Sequence, residues 1–272
     1  MQKKNFGSVI VGLLLVLGLA FIARVEAQTS PVYWSGRAGG YAYRWTARDL
    51  TATSRPSGKV AYSVVAALKG EKGNRTPDAV EPEDHYEVSF FPLSVVGSLL
   101  SYERDYYWEG GAHPSGYESF ATVDVRQPGK RVRITDLFPA EQVRRALLAD
   151  GVVRRVLARE KVAPPPTLDG LVKALANKQF GGDDDDMYVF PSILLEAFAF
   201  HHIENGKVAV RFLLPNGTEI YRFRHTQLGI LLPIPARLKP AFTDAATGKG
   251  GALMQSLQRM TKGRSSSLVL VE

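Results

Sequence analysis

The chain has 272 residues and no cysteine. Disulfides, thiolate metal sites and cysteine nucleophiles are therefore excluded. A chain of this length folds on its hydrophobic core without such cross-links. Histidine is scarce, at five residues. No His-x-x-x-His or His-Glu-x-x-His spacing occurs, so a zinc site would have to be assembled from distant residues. Gly-x-Ser-x-Gly is absent, and with it the strand-to-helix elbow of a serine hydrolase. The acidic run Asp183–Asp186 lacks both the alternation and the closing glutamate of an EF-hand, so it reads as a solvated, self-repelling loop. No repeat occurs at solenoid periods. On these absences the sequence assigns no catalytic residue, no metal and no cofactor.

The first residues carry a different message. Lys3 and Lys4 precede an apolar run from Val9 to Ala23, and Val25-Glu26-Ala27 follows as a cleavage site. Residues 1–27 therefore read as a secretory signal, and the chain is expected to be secreted or periplasmic. The apolar run is shorter than the ~20 residues of a relaxed spanning helix, so membrane contact is expected only if the signal is retained as an anchor. No cysteine follows the run, which excludes a lipoprotein anchor. Loss of Lys3, Lys4, Arg24 and Glu26 lowers the net charge from +7 to +5. That balance suits anionic envelope polymers and is too weak to argue for nucleic acid.

Beyond the signal, strand patterns dominate. "YAYRWTARDLTAT" (41–53) alternates large rings with polar residues, "KVAYSVVAAL" (59–68) is a second strand candidate, and "GEKGNRTPDAVEPED" (70–84) is a loop. Strands are expected again over 85–91 and 92–108, and 118–134 reads as a hairpin turning at Gln127-Pro128-Gly129. A helix is expected from Thr135 onward, interrupted at Asp150-Gly151 and stopped by "APPP" (163–166), with a further helix over 167–180. Asn216-Gly217 between 207–214 and 219–225 predicts a type I′ hairpin, followed by a strand over 228–234. Strands, then helices, then strands is an α+β order, with antiparallel hairpins packed against a few helices. The expected division is a β-rich part over 28–113, an α+β part over 114–242, and a tail of uncertain order over 243–272.

The stretch "YYWEGGAHPSGYESF" (106–120) holds the candidate site. Tyr106, Tyr107, Trp108 and Tyr117 surround Gly110, Gly111 and His113. Consecutive strand residues face opposite sides, so one of Tyr107 and Trp108 is expected buried and the other exposed. Exposed Tyr and Trp at a strand end anchor protein partners or sugars. His113 has two readings: a ligand contact or general base, or an architectural tie for a turn that Gly110 and Gly111 shape. A hydrolase reading would pair His113 with Glu109 or Asp124. A purely structural envelope protein is the third class. His201 and His202, adjacent on a strand, are expected to point to opposite faces and so not to share one ion.

These residues also resemble a known family. Tyr106, Tyr107, "GGAH" (110–113), Tyr117, Asp124, Gly129, Lys130, Ile134 and Asp136-Leu137-Phe138 match the pattern of the bacterial domain of unknown function 3298 family, with its upstream partner domain. "HIENGKVAVRF" (202–212) and "LGILLPI" (228–234) resemble its closing hairpin and strand, and the similarity spans 85–242. The chain departs from the pattern at Pro114-Ser115 and at "RFRHTQLG" (222–229). The resemblance implies an extracytoplasmic domain without catalysis of its own. In that family the domain occurs in a lysozyme-sensing anti-sigma factor, where it binds lysozyme, and beside a peptidoglycan deacetylase domain. The implied partner is an envelope protein or cell-wall polymer, with lysozyme-like proteins and peptidoglycan first.

Overall fold

The computed structural model describes residues 30–70, 85–109, 115–181, 187–217, 225–262 and 264–269. The expected signal, the 71–84 loop and the Asp183–Asp186 run lie outside them. In chain order the elements are β1 (Val32–Ala38), β2 (Tyr41–Thr46), β3 (Leu50–Ser54), β4 (Val60–Ser63), α1 (Val64–Gly70), β5 (His85–Val96), β6 (Leu99–Glu109) and β7 (Ser115–Asp124). Then come α2 (Ala140–Ala149), α3 (Gly151–Arg159), α4 (Leu168–Leu175), β8 (Gln179–Phe180), β9 (Tyr188–Val189), β10 (Phe198–Glu204), β11 (Lys207–Pro215) and β12 (His225–Pro233). The chain closes with α5 (Lys239–Thr247), α6 (Met254–Met260) and β13 (Ser266–Val269). Three antiparallel sheets result: β1-β2-β3-β4, a central β13-β5-β6-β7, and β10-β11-β12, with β8-β9 as a small pair. The fold is α+β, as the order of patterns predicts.

Burial alternates along the strands and so sorts the interior into layers. Tyr43, Trp45 and Ala52 of the first sheet pack with Val88, Tyr102 and Tyr106 of the central sheet. On the other face a thin layer of Leu93, Phe120, Ala199, Leu213 and Met254 joins the central and third sheets. The outer face of the third sheet, with Phe198, Phe200, Val210 and Phe212, receives Val143, Leu147, Val156 and Leu171 from the helices. Asp150 starts α3 by accepting from the backbone N–H groups of Val152 (2.7 Å) and Val153 (3.1 Å), and Thr167 caps α4 through Gly170 N–H at 3.1 Å. Each cap satisfies donors that the first helical turn leaves free.

Several sequence expectations are corrected. The 41–53 stretch is two strands, because Thr46 Oγ1 accepts from Asp49 N–H at 3.1 Å and turns the chain. The 59–68 stretch switches from strand to helix at Val64. Ser63 Oγ accepts from Ala66 N–H at 3.0 Å, and Asp49 Oδ1 accepts from Val65 N–H at 3.1 Å. Thr135 starts no α-helix: Ile134–Asp136 is a 3₁₀ turn, and α2 begins after Pro139. The 118–134 hairpin has its turn, but its return arm pairs only at Val123 with Arg131. The type I′ hairpin at Asn216-Gly217 does not form, since Pro215 pairs with His225; residues 219–224 of the expected return strand lie outside the described residues.

The expected boundary at 113/114 falls between β6 and β7, which pair from Leu99–Asp124 to Trp108–Ser115, and residues 32–272 form one compact unit. The 243–272 tail is structured as far as Val269. β13 pairs with β5, and Ser266 Oγ accepts from the buried Trp45 indole at 2.7 Å. Gly251, at φ +82°, lets the same segment cross Val95 so closely that a Cβ would lie 2.1 Å from its carbonyl oxygen. Only glycine fits there.

Candidate functional site

β6 runs between β5 and β7 through the middle of the central sheet, and its side chains alternate between the two layers. Leu100, Tyr102 and Tyr106 enter the layer shared with the first sheet. Arg104 lies among them. Its Nε and Nη2 donate to Ser119 Oγ at 3.2 and 3.0 Å, and its guanidinium sits 5.5 Å from the Tyr106 ring centroid. Tyr106 in turn stacks on Tyr117 with centroids 4.4 Å apart.

The alternate positions Ser101, Glu103 and Asp105 face the third sheet. Ser101 Oγ and Thr122 Oγ1 are 2.9 Å apart, and Thr122 donates to Phe198 O at 2.5 Å. This hydroxyl relay ties the two sheets together. Beyond it the layer turns acidic. Glu103 is 5% exposed. Asp105 pairs directly across from Glu118 of β7. His225, the first residue of β12, touches Glu118 through Nδ1 and Oε2. Donor atoms of Glu103, Glu118 and His225 all lie within 4.8 Å of one another. Asp105 Oδ1 is buried without a hydrogen-bond partner.

Burial sets the protonation of this cluster. It pushes the Glu103 carboxyl up to about 8, and the nearby Asp105 adds to the effect. Burial, then Glu87, raises Asp105 as well. Burial holds His225 below its ordinary value. A carboxyl that keeps its proton near neutrality can donate a hydrogen bond or a proton. Two carboxylates and an imidazole can also ligate a cation, so among the described residues Glu103, Glu118 and His225 could hold a metal.

β7 is an edge strand, and an open groove of about 400 Å³ lies beside it. Arg104, Tyr117, Glu118 and Ser119 line one side, with Pro191, Ile193 and Leu213 opposite.

The residues singled out in the sequence divide unevenly over this site. Tyr106, one of the expected binding residues, is interior, 4% exposed, and offers no open ring to a partner. Its even position on β6 directs it into the layer under the first sheet. Tyr117 is half-buried and lines the groove, and Tyr107 is half-buried. Trp108 pairs in register with Ser115, but its side chain lies outside the described residues, as do Gly110, Gly111 and His113. Asp124, the proposed carboxylate partner of His113, pairs with Leu99 at the far end of the hairpin, about 30 Å along β7 from its start. It is bound there by Arg126 at 2.5 Å, and the expected pairing with His113 lies outside the described residues. The expectation for His201 and His202 is also corrected. A bulge between Phe200 and His202 turns neighbours to one side, and their Nδ1 atoms lie 2.7 Å apart.

Glu103, Asp105, Glu118 and His225 were missed in the sequence. The signal was present in "SYERDYYW", where Ser101, Glu103 and Asp105 fall on one face of a strand too apolar on its other face to be solvated on both.

No family model and no curated protein matches the chain. Among solved structures, a 2.30 Å crystal structure of a member of the domain of unknown function 3298 family from Bacteroides fragilis is similar, at 14% identity and a TM-score of 0.28. The match covers 73% of this chain and 66% of that one, so the chain spans a little under two thirds of its neighbour's length. The family of this neighbour is the one that the sequence resembles.

Proposed function

We propose that this protein is a secreted or periplasmic, non-catalytic binding module for an envelope-associated partner, with lysozyme-like proteins and peptidoglycan as the first candidates. The observation that carries the reading is the groove beside β7. It is open, has apolar walls at Pro191, Ile193 and Leu213, and has a polar floor at Arg104, Glu118 and Ser119. A concave, mostly apolar surface with a few fixed polar groups is the usual form of a recognition site. Tyr117 supplies the half-buried ring that such sites use as an anchor, held in place by its stack on Tyr106.

The test is calorimetry of the full chain against lysozyme and against soluble peptidoglycan fragments. Saturable binding to one of them is expected. The Ile193→Glu variant, altered at a side chain 39% exposed on the groove wall, should bind at least tenfold more weakly with an unchanged melting temperature. No binding to either probe, or full binding by Ile193→Glu, would reject the reading. Glycan cleavage during the titration would reject its non-catalytic part.

A further inference from the structure

We propose that Glu103, Glu118 and His225 bind one divalent cation of the zinc class. The inference does not depend on the envelope partner. The three side chains come from β6, β7 and β12, and their donor atoms lie within 4.8 Å of one another. Strand pairing fixes each of them. Glu103 pairs with Phe120 and Glu118 with Asp105 inside the central sheet, and His225 pairs with Pro215 at the start of β12. They converge where the third sheet packs over the central one.

A second observation points to a ligand. Glu103 is more than nine-tenths buried, yet its carboxyl has no hydrogen bond or salt bridge among the described residues. Carboxyls of buried residues in native proteins are nearly always paired. This one is aimed at a second carboxylate and an imidazole, and a cation would satisfy all three at once. On the other face of the same strand, Arg104 donates to Ser119 through Nε and Nη2.

The donor set selects the metal. One nitrogen and two carboxylates from rigid strands suit a small borderline cation with ligands near 2.0–2.2 Å. Calcium wants about six to eight oxygens, and magnesium holds its waters. Asp105, opposite Glu118, lies beside the ligands and adds negative charge without belonging to the trio. Three protein ligands would leave a coordination position open for water or a ligand atom.

The test is zinc titration of the EDTA-treated full chain, prepared without a histidine tag, by calorimetry and by thermal melting. One zinc per chain is expected, with a micromolar or tighter Kd and a rise in melting temperature, while calcium and magnesium at the same concentrations have no effect. Glu118→Gln and His225→Ala should each weaken zinc binding at least tenfold. Glu103→Gln keeps the shape of the side chain, so it should give a folded protein by circular dichroism whose melting temperature no longer responds to zinc. A His201→Ala, His202→Ala double variant should bind zinc as wild type does, and so should a chain with Asp183, Asp184, Asp185 and Asp186 all replaced by Asn. The proposal is overturned if the wild type takes up no zinc or prefers calcium. It is equally overturned if binding survives Glu118→Gln, if Glu103→Gln folds and still responds, or if either control variant abolishes binding.

Discussion

The two faces of β6 are built from one run of residues and differ in almost every physical respect. On the even face, Tyr102 shares a 2.9 Å hydrogen bond with Tyr62, Arg104 is held by Ser119, and Tyr106 stacks on Tyr117. On the odd face, Ser101 is matched by Thr122, but Glu103 and Asp105 are buried or half-buried acids with little to meet them. A satisfied polar network rigidifies a core, whereas a half-satisfied one is costly unless something completes it. The contrast separates a face whose polar groups are met from one whose acids are not, beyond the Ser101–Thr122 relay.

The largest effect should come from the packed face. Tyr106→Ala removes an interior ring and its stack on Tyr117, and should destabilise the chain by about 3–5 kcal/mol, read by chemical denaturation. A loss below about 1 kcal/mol would break the contrast, because Tyr106 would then not be core.

The next prediction concerns Glu103. Its folded pKa of about 8 lies above the ordinary value of 4.5. Between those values the folded chain holds a proton that the unfolded chain has released, so stability of the metal-free protein falls as pH rises from 4.5 toward 8. Glu103→Gln should flatten that slope and be more stable than wild type at pH 8 by about 1–3 kcal/mol, the usual penalty of an unmet buried group. Melting curves in EDTA across that range measure both. An unchanged slope in the variant would mean that Glu103 is not the group responsible.

Much of this contrast was legible in the sequence, and its meaning was not. Alternation from Leu100 to Tyr106 marks a strand, and the strand is there. Periodicity tells which residues share a face but not whether the second face meets water or another sheet. On the polar face of β6 it is the third sheet that decides, and no pattern within the strand reports it. Local signals held where local bonds decide. Asp150 and Thr167 cap helices with their own side chains, and both helices begin there. They failed where distant residues decide. Asp49 reaches across a hairpin to help start α1 at Val64, and no pattern within 59–68 reports that bond. Asn216-Gly217 has the residues of a tight turn, but the pairing of Pro215 with His225 overrides it. The polar tail gains its strand from Ser266, whose partner Trp45 lies 221 residues away. His225 meets Glu118 only because β12 pairs with β11 in this register, so its part in the cluster was beyond any reading of spacing.

The smallest effect sharpens the comparison most. Asp105 is half-buried, with one carboxylate oxygen lacking a partner, and burial together with Glu87 raises its pKa. Asn has nearly the same shape and no charge to desolvate. Asp105→Asn in metal-free protein should therefore shift stability by no more than about 0.5 kcal/mol, in contrast to Tyr106→Ala one position along the strand. Its effect on zinc should be real but modest. Asp105 neighbours the ligands and contributes only its charge, so its loss should weaken zinc binding less than tenfold, whereas Glu118→Gln directly opposite removes a ligand. Paired denaturation and zinc titrations of the two variants decide the matter. Equal loss of zinc would make Asp105 a fourth ligand. A stability loss approaching that of Tyr106→Ala would mean that both faces of β6 serve the packing, and that the acids are structural after all.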